Sequence, residues 1–212
     1  MNFAPIDHAL ERIAAGQMVV VVDGPDRENE GDLTMGAQFV TQETVNFMIC
    51  QARGLVCAPA DAALLDRLRI GPMVDPDCAT CDTPFGVSVD HVSGTTGIAA
   101  HERADTIRAL ADASSRPWDF RRPGHVFPLR ARSGGVLERA GHTEAAVDLC
   151  RLADLVPCGA ICEILDDDGT PARLPDLEVF ARLHDLAIVS VDELIAYRSP
   201  VGATSIIGGT RT

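Results

Sequence analysis

The run Met18-Val19-Val20-Val21-Val22 constrains the fold more than any other stretch of the chain. β-Branched side chains suit a pleated strand, and a strand apolar on both sides has to be covered on both faces. A charged loop, Asp23 to Gly31, follows directly, and Leu33 to Phe39 resumes as a strand. With one Trp (Trp118), one Tyr (Tyr197) and seven Phe, the core has to come mainly from Val, Leu, Ile and Ala. Layered folds built on a sheet are made this way.

Periodicity places the other elements. Ile6, Leu10 and Ile13 share one helical face, which Gly16 ends. A helix opens at Thr41 or Gln42 and runs to Ala52; Gly54-Leu55-Val56-Cys57 reads as a short buried strand and Ala60 to Leu68 as a helix. Residues 71–84 read as loop, 86–91 as a strand with one wet face, 93–97 as a turn and 102–113 as a helix. Ser115 to Gly124 is irregular and basic, and Val126 to Ala131 is a strand, before Gly134-Gly135 breaks the chain. A helix at 143–152, a strand at 159–165 turning at Asp168-Gly169, a helix at 175–184, a strand at 187–191 and a short helix to Tyr197 complete the order. Helices interleave irregularly with strands, so the expected class is α+β, a three-layer α-β-α sandwich around a mixed, twisted sheet. One catalytic domain is expected over 1–198, with a flexible tail at 199–212.

Charge and targeting narrow the function. A formal net charge of -13 argues against nonspecific nucleic-acid binding, which needs a basic surface. A few Arg can still make a local pocket for a small anion. The N-terminal residues carry no basic segment followed by an apolar run, and no stretch approaches the roughly 20 apolar residues of a membrane helix. Seven cysteines, an odd and scattered set, suit reduced thiols in the cytoplasm. Cys78 and Cys81 have metal-ligand spacing, a weak zinc signal without a second pair.

Three features carry possible chemistry. Asp23-Gly24-Pro25-Asp26-Arg27-Glu28-Asn29-Glu30-Gly31-Asp32 puts five carboxylates and one cation at the end of a buried strand. A hard divalent metal relieves that repulsion, and strand ends are where such sheets place sites; the bland alternative is a solvated acidic loop. Arg121-Arg122-Pro123-Gly124-His125 and Arg139-Ala140-Gly141-His142-Thr143-Glu144 each set a His after a Gly at an element boundary. The helix beginning at Thr143 offers a phosphate seat, which Arg139 can strengthen. Against this, Thr143 reads equally as a plain N-cap and His125 as a hydrogen-bonded turn residue. Glu163, flanked by apolar residues, reads by itself as facing water. Turned inward, it suits proton transfer.

Together these segments resemble the 3,4-dihydroxy-2-butanone 4-phosphate synthase family. The resemblance is carried by 26–32, Gly54-Leu55-Val56-Cys57, Thr95-Thr96-Gly97-Ile98, Arg122 to Arg130, Gly141-His142-Thr143-Glu144-Ala145 and Ile161-Cys162-Glu163, in the family's order. It implies conversion of ribulose 5-phosphate into 3,4-dihydroxy-2-butanone 4-phosphate and formate, with Mg²⁺ or Mn²⁺, in a homodimer. By position it implies Glu28 and His142 as metal ligands. Arg27, Glu28, Asp32, Arg139, Ala140, Gly141, His142, Thr143 and Glu163 become substrate contacts, with Thr96 and Thr143 at the phosphate. His125 and Glu163 become catalytic, with Glu30 and Cys57 lining the same site. Ala99 stands where the family usually has Ser, which implies one hydroxyl fewer near the phosphate. Some members carry a C-terminal cyclohydrolase domain with cysteine zinc ligands; a single activity is expected here. A generic metal-dependent phosphosugar isomerase or aldolase, and a nucleotide- or RNA-binding module, are the competing readings.

Overall fold

The computed structural model describes residues 3–75 and 82–199. The Cys78/Cys81 pair and, apart from Ser199, the expected tail lie outside the described residues.

The valine run forms β1 (Val19–Val22), every residue of which is buried. Val19 and Val21 pack into one core cluster, and Val20 and Val22 into another. Side chains alternate across a strand, so this one tetrapeptide divides its area between the two faces of the sheet. Burying each valine stabilises the fold by about 1.5–3 kcal/mol.

Around it lie β2 (Gly31–Gly36), β3 (Cys57–Ala60), β4 (Val89–His91), β5 (Phe120–Arg130), β6 (Gly159–Glu163) and β7 (Ala187–Ser190). They form a seven-stranded sheet in the order β4-β5-β3-β6-β2-β1-β7. The β1/β7 and β3/β5 pairs are parallel; β1/β2, β2/β6, β3/β6 and β4/β5 are antiparallel. Helices α1 (Ile6–Ala14), α5 (His142–Leu152) and α7 (Val191–Arg198) share a core with Val19 and Val21 on one face. Helices α2 (Gln42–Phe47), α3 (Ala62–Arg67), α4 (Ala100–Ala111) and α6 (Leu174–Leu183) pack on the other. The three-layer mixed α+β arrangement is the expected one. No described helix is long and apolar enough to cross a membrane.

Several boundaries differ from the sequence reading. The strand expected at 54–57 starts only at Cys57, where pairing with Phe127 and Ile161 begins. Residues 120–124, expected to be irregular, belong to β5, because Phe120 and Arg121 pair with β4 on the sheet edge. Local composition cannot reveal a strand whose partner is distant. The helix from Gln42 is capped by Thr41 and continues beyond Phe47 as a π-turn over Met48–Ala52. Helix α5 starts one residue early: its N-cap is Gly141, with no side-chain cap, and Thr143 lies within its first turn.

Candidate active site

Asp23 organises the acidic loop. It is buried at the end of β1, and its carboxylate accepts from Glu28 N (3.1 Å), Glu30 N (2.9 Å) and Arg27 Nη1 (2.7 Å). Arg27 Nη1 also reaches Glu28 Oε2 at 2.7 Å. From outside, Arg173 donates to the carbonyl oxygens of Glu28 and Asn29. The loop is therefore a folded turn, with the Asp23 and Glu28 carboxylates held by internal hydrogen bonds. The solvated-loop reading does not describe it.

Where the chain returns as β2, Asp32 stands in register with Glu163 of β6, so two acids from neighbouring strands lie side by side. Glu163 is half-buried and accepts from Leu55 N at 2.8 Å. This corrects the water-facing reading of its flanking residues: it lines a cavity. Gly54 makes room for it, since a Cβ there would come within 2.4 Å of the Glu163 carbonyl oxygen.

The cavity, of about 220 Å³, is lined by Arg27, Glu28, Glu30, Asp32, Cys57, Arg139, His142, Thr143 and Glu163, with Thr83, Phe85, Leu129 and Ile161. A larger groove of about 440 Å³ between α6 and β7 has only Glu178 and Arg182 as charged lining, and offers no comparable chemistry. Gly141 is buried beneath the charged rim. A Cβ on it would come within 2.3 Å of Arg139 Nη1 and 3.0 Å of Arg27 Nη2, so two guanidinium groups converge at the start of α5. Arg139 is held by Glu144 (2.7 Å from Nη1), which is fully buried, and by Asp82 (2.7 Å from Nε). With no side-chain cap on α5, its first N–H groups remain available to an anion.

Electrostatics follow from this crowding. The His142 hydrogen bond, together with Arg27 and against the cost of burial, holds Glu28 down to about 2. Burial disfavours the charged form of His142, but Asp32, Glu28 and Asp23 outweigh it and raise its pKa to about 9. Burial lifts Asp32 to about 7, with Glu163, Glu28 and Glu30 adding to the shift. Glu30 is also raised, by burial and then by Glu28. The Cys57 thiol is pushed up by burial and by Glu163 and Asp32, so it stays protonated.

Asp23, Glu28 and His142 present ligand atoms within 4.8 Å of one another. His142 Nδ1 lies 3.6 Å from Glu28 Oε2, and its buried Nε2 has no hydrogen-bond partner, nor has the buried Asp32 Oδ1. Asp23 already accepts three hydrogen bonds, which leaves Glu28 and His142 as the donors with spare capacity. The Glu28 carboxylate and the His142 imidazole, the latter with an unsatisfied buried nitrogen, fit a divalent cation; oxygen suits Mg²⁺ and the imidazole suits Mn²⁺ better.

Residues 7–197 match the family model for 3,4-dihydroxy-2-butanone 4-phosphate synthase. The chain belongs to this synthase family.

The riboflavin biosynthesis protein RibBA of Bacillus cereus (strain G9842) is 52% identical over 196 residues, 92% of this chain and 49% of that protein. The chain thus spans about half the length of the curated relatives it matches. The solved structure of RibBX, a two-domain synthase from A. baumannii, superposes with a TM-score of 0.89 at 47% identity, covering 92% of this chain and 58% of that one. A synthase solved in complex with two magnesium ions gives a TM-score of 0.88 at 42% identity, covering 92% and 96%.

The remaining residues implied by resemblance to the synthase family lie elsewhere. Ala140 is exposed and absent from the cavity lining. His125 and Thr96 do not line it either. His125 sits in β5, its Nδ1 2.8 Å from Asp90 Oδ2; Thr96 lies in the turn before α4, its hydroxyl 3.4 Å from Glu102. Ala99 is the N-cap of α4, so a Ser there would act first as a helix cap. Glu102 compensates in part by accepting from Ala99 N at 3.3 Å.

The sequence pattern counts Asp23 among the acids of the loop without singling it out, and gives no separate role to Glu144, Asp90 or Thr83. Asp23 was detectable as the first acid after a buried strand. Asp90 acts through His125 across the sheet, Glu144 through the folding of the preceding loop that brings Arg132 N and Arg139 onto it, and Thr83 lies in an aperiodic loop, so composition offered no signal for their contacts.

Proposed function

We propose that this chain converts D-ribulose 5-phosphate into 3,4-dihydroxy-2-butanone 4-phosphate and formate, a carbon–carbon lyase step of riboflavin biosynthesis, with Mg²⁺ or Mn²⁺ held by Glu28 and His142. The observation that carries the reading is the meeting, in one small cavity, of the acidic loop, His142 and two converging guanidinium groups.

Glu28 and His142 would hold a divalent cation, which would supply Lewis-acid polarisation to the sugar. The chain's own groups do the rest. Arg139, Thr143 and the open start of α5 hold the phosphate, and Arg27 adds a second guanidinium beside them. Phe85, Leu129 and Ile161 form the apolar wall that limits water. Glu163, held at its carboxylate by Leu55 N, and His125 move protons during enolisation and dehydration. Asp32, with its pKa at about 7, can give or take a proton near neutrality, and Glu30 shares that acid-rich wall. Cys57, kept as a thiol, is a neutral wall group and not a nucleophile. Water lost on dehydration returns when the rearranged skeleton releases its one-carbon unit, so the sugar phosphate balances the four-carbon phosphate plus formic acid.

His125 and Thr96 lie off the cavity of their own chain, which supports a homodimer in which a second copy contributes them. Mixing His125→Ala with His142→Ala protein then restores activity that neither has alone; no restoration on subunit exchange contradicts this arrangement. Free buried thiols at Cys57, Cys150, Cys158 and Cys162 support a cytoplasmic setting. The net charge of -13 supports a partner list without nucleic acid.

The reaction is tested by incubating the protein with ribulose 5-phosphate and Mg²⁺ and assaying formate, with and without EDTA. Metal-dependent formate is expected. Consumption without formate fits an isomerase or aldolase and overturns the assignment.

A further inference from the structure

Asp90 is the hub of a cluster that the cavity does not contain. Its side chain is 8% exposed. Oδ1 accepts from His125 N at 2.8 Å, and Oδ2 lies 2.8 Å from His125 Nδ1. The carboxylate also packs against Gly97, whose φ is +90°; a Cβ there would lie 2.0 Å from Asp90 Oδ2. Gly97 N donates to Glu102 at 3.0 Å, and Glu102 further accepts from the Thr95 backbone N, from Thr95 Oγ1 (2.8 Å) and from Thr96 Oγ1 (3.4 Å). Gly124, before His125, lets β5 approach β4 so closely that a Cβ would come 2.1 Å from the Val89 carbonyl carbon. Two glycines and two buried acids thus lock the Thr96 turn and the His125 ring into one rigid unit.

We propose that Asp90 is a positioning residue for His125: it fixes the Nδ1–H tautomer, leaves Nε2 as the nitrogen that meets the substrate, and is itself located by Gly97. A carboxylate can accept from both His125 donors at once. The backbone N–H has no alternative but to donate, so the ring is left to present its Nδ1 proton to the second oxygen. Nε2 has no hydrogen-bond partner among the described residues, and the ring remains 43% exposed. A bare hairpin staple would need neither the free second nitrogen nor the packing between Asp90 and the Thr96 turn.

The inference rests on the reading of His125 as a proton-transfer group, and its test separates the two. In Asp90→Asn, the single amide oxygen must serve the His125 N–H, so the amide NH₂ faces Nδ1 and drives the ring to the Nε2–H tautomer. Nitrogen-15 NMR of histidine-labelled protein reads the tautomer, with His125→Gln assigning the signal. The wild type is expected to show Nδ1–H and Asp90→Asn to show Nε2–H. Formate-forming kcat should fall by about 100-fold or more while KM stays within about threefold. Gly97→Ala, which displaces Asp90 from the other side, should shift the same resonance if Asp90→Asn does not fold. An Nε2–H wild type, or variants that keep both tautomer and kcat, overturns the inference and leaves the lyase reading standing. Full turnover by His125→Ala removes the catalytic reading of His125, and the inference with it; a wild type without formate sinks the lyase assignment, while the tautomer spectra still decide whether Asp90 sets the ring.

Discussion

His142 Nδ1 stands 3.6 Å from Glu28 Oε2, joining the first turn of α5 to the loop that leaves β1. The contact makes one electrostatic unit of segments far apart in sequence. It holds Glu28 down to about 2 and helps raise His142 to about 9.

Removing either partner should therefore abolish cation binding while leaving the fold in place. For His142→Ala and Glu28→Gln we expect Mn²⁺ affinity, read by electron paramagnetic resonance, to fall by at least about 10-fold and formate production to drop to background. Thermal melts should stay cooperative. Full affinity in either variant contradicts the ligand assignment.

Cation binding should also release a proton. A metal-bound imidazole has to be neutral, whereas the acids around it keep His142 protonated up to about 9 in the metal-free protein. Affinity should therefore rise with pH between about 7 and 9. Calorimetry in buffers of different ionisation enthalpy should show proton release at pH 7; an affinity flat over that range contradicts the prediction.

Asp32 imposes the opposite demand on stability. Its folded pKa, about 7, lies above the unfolded carboxylate value, so its contribution is full below about 4 and is lost as pH rises through about 7. Metal-free Asp32→Asn should therefore gain stability relative to wild type as pH is raised from 5 to 8, measured by urea unfolding, while losing turnover. A pH-independent difference between the two proteins would show that Asp32 is not a buried, proton-holding acid.

Glu144 and Gly141 set the Arg139 guanidinium. Glu144, fully buried, accepts from Arg139 Nη1 and, at 3.0 Å, from Arg132 N. Leaving a buried partner unpaired costs about 3–5 kcal/mol, so Glu144→Ala should lower the melting temperature sharply. Gly141→Ala, whose Cβ meets that guanidinium, should instead raise KM for the sugar phosphate about 10-fold with a smaller effect on stability. An unchanged KM in Gly141→Ala contradicts the phosphate seat.

The fold and half of the site were legible for a physical reason: their signals are local. The valine run declares a strand covered on both faces, and the acids of 23–32 declare a crowded strand end. The path of β5 through 120–124 was hidden because its pairing with β4, not its composition, makes it a strand. The orientation of Glu163 depended on β2, which sets Asp32 beside it across the sheet. His125 reads as a turn residue until Asp90 is seen beneath it. Pair geometry of this kind is three-dimensional, and a one-dimensional pattern does not contain it.

Uniformly carbon-13-labelled ribulose 5-phosphate, followed by NMR in the presence of the protein and Mg²⁺, tests the central claim most directly. The account predicts formate and a four-carbon phosphate growing in equal amounts, both lost in His142→Ala. A five-carbon product alone, or equal turnover by that variant, would contradict it.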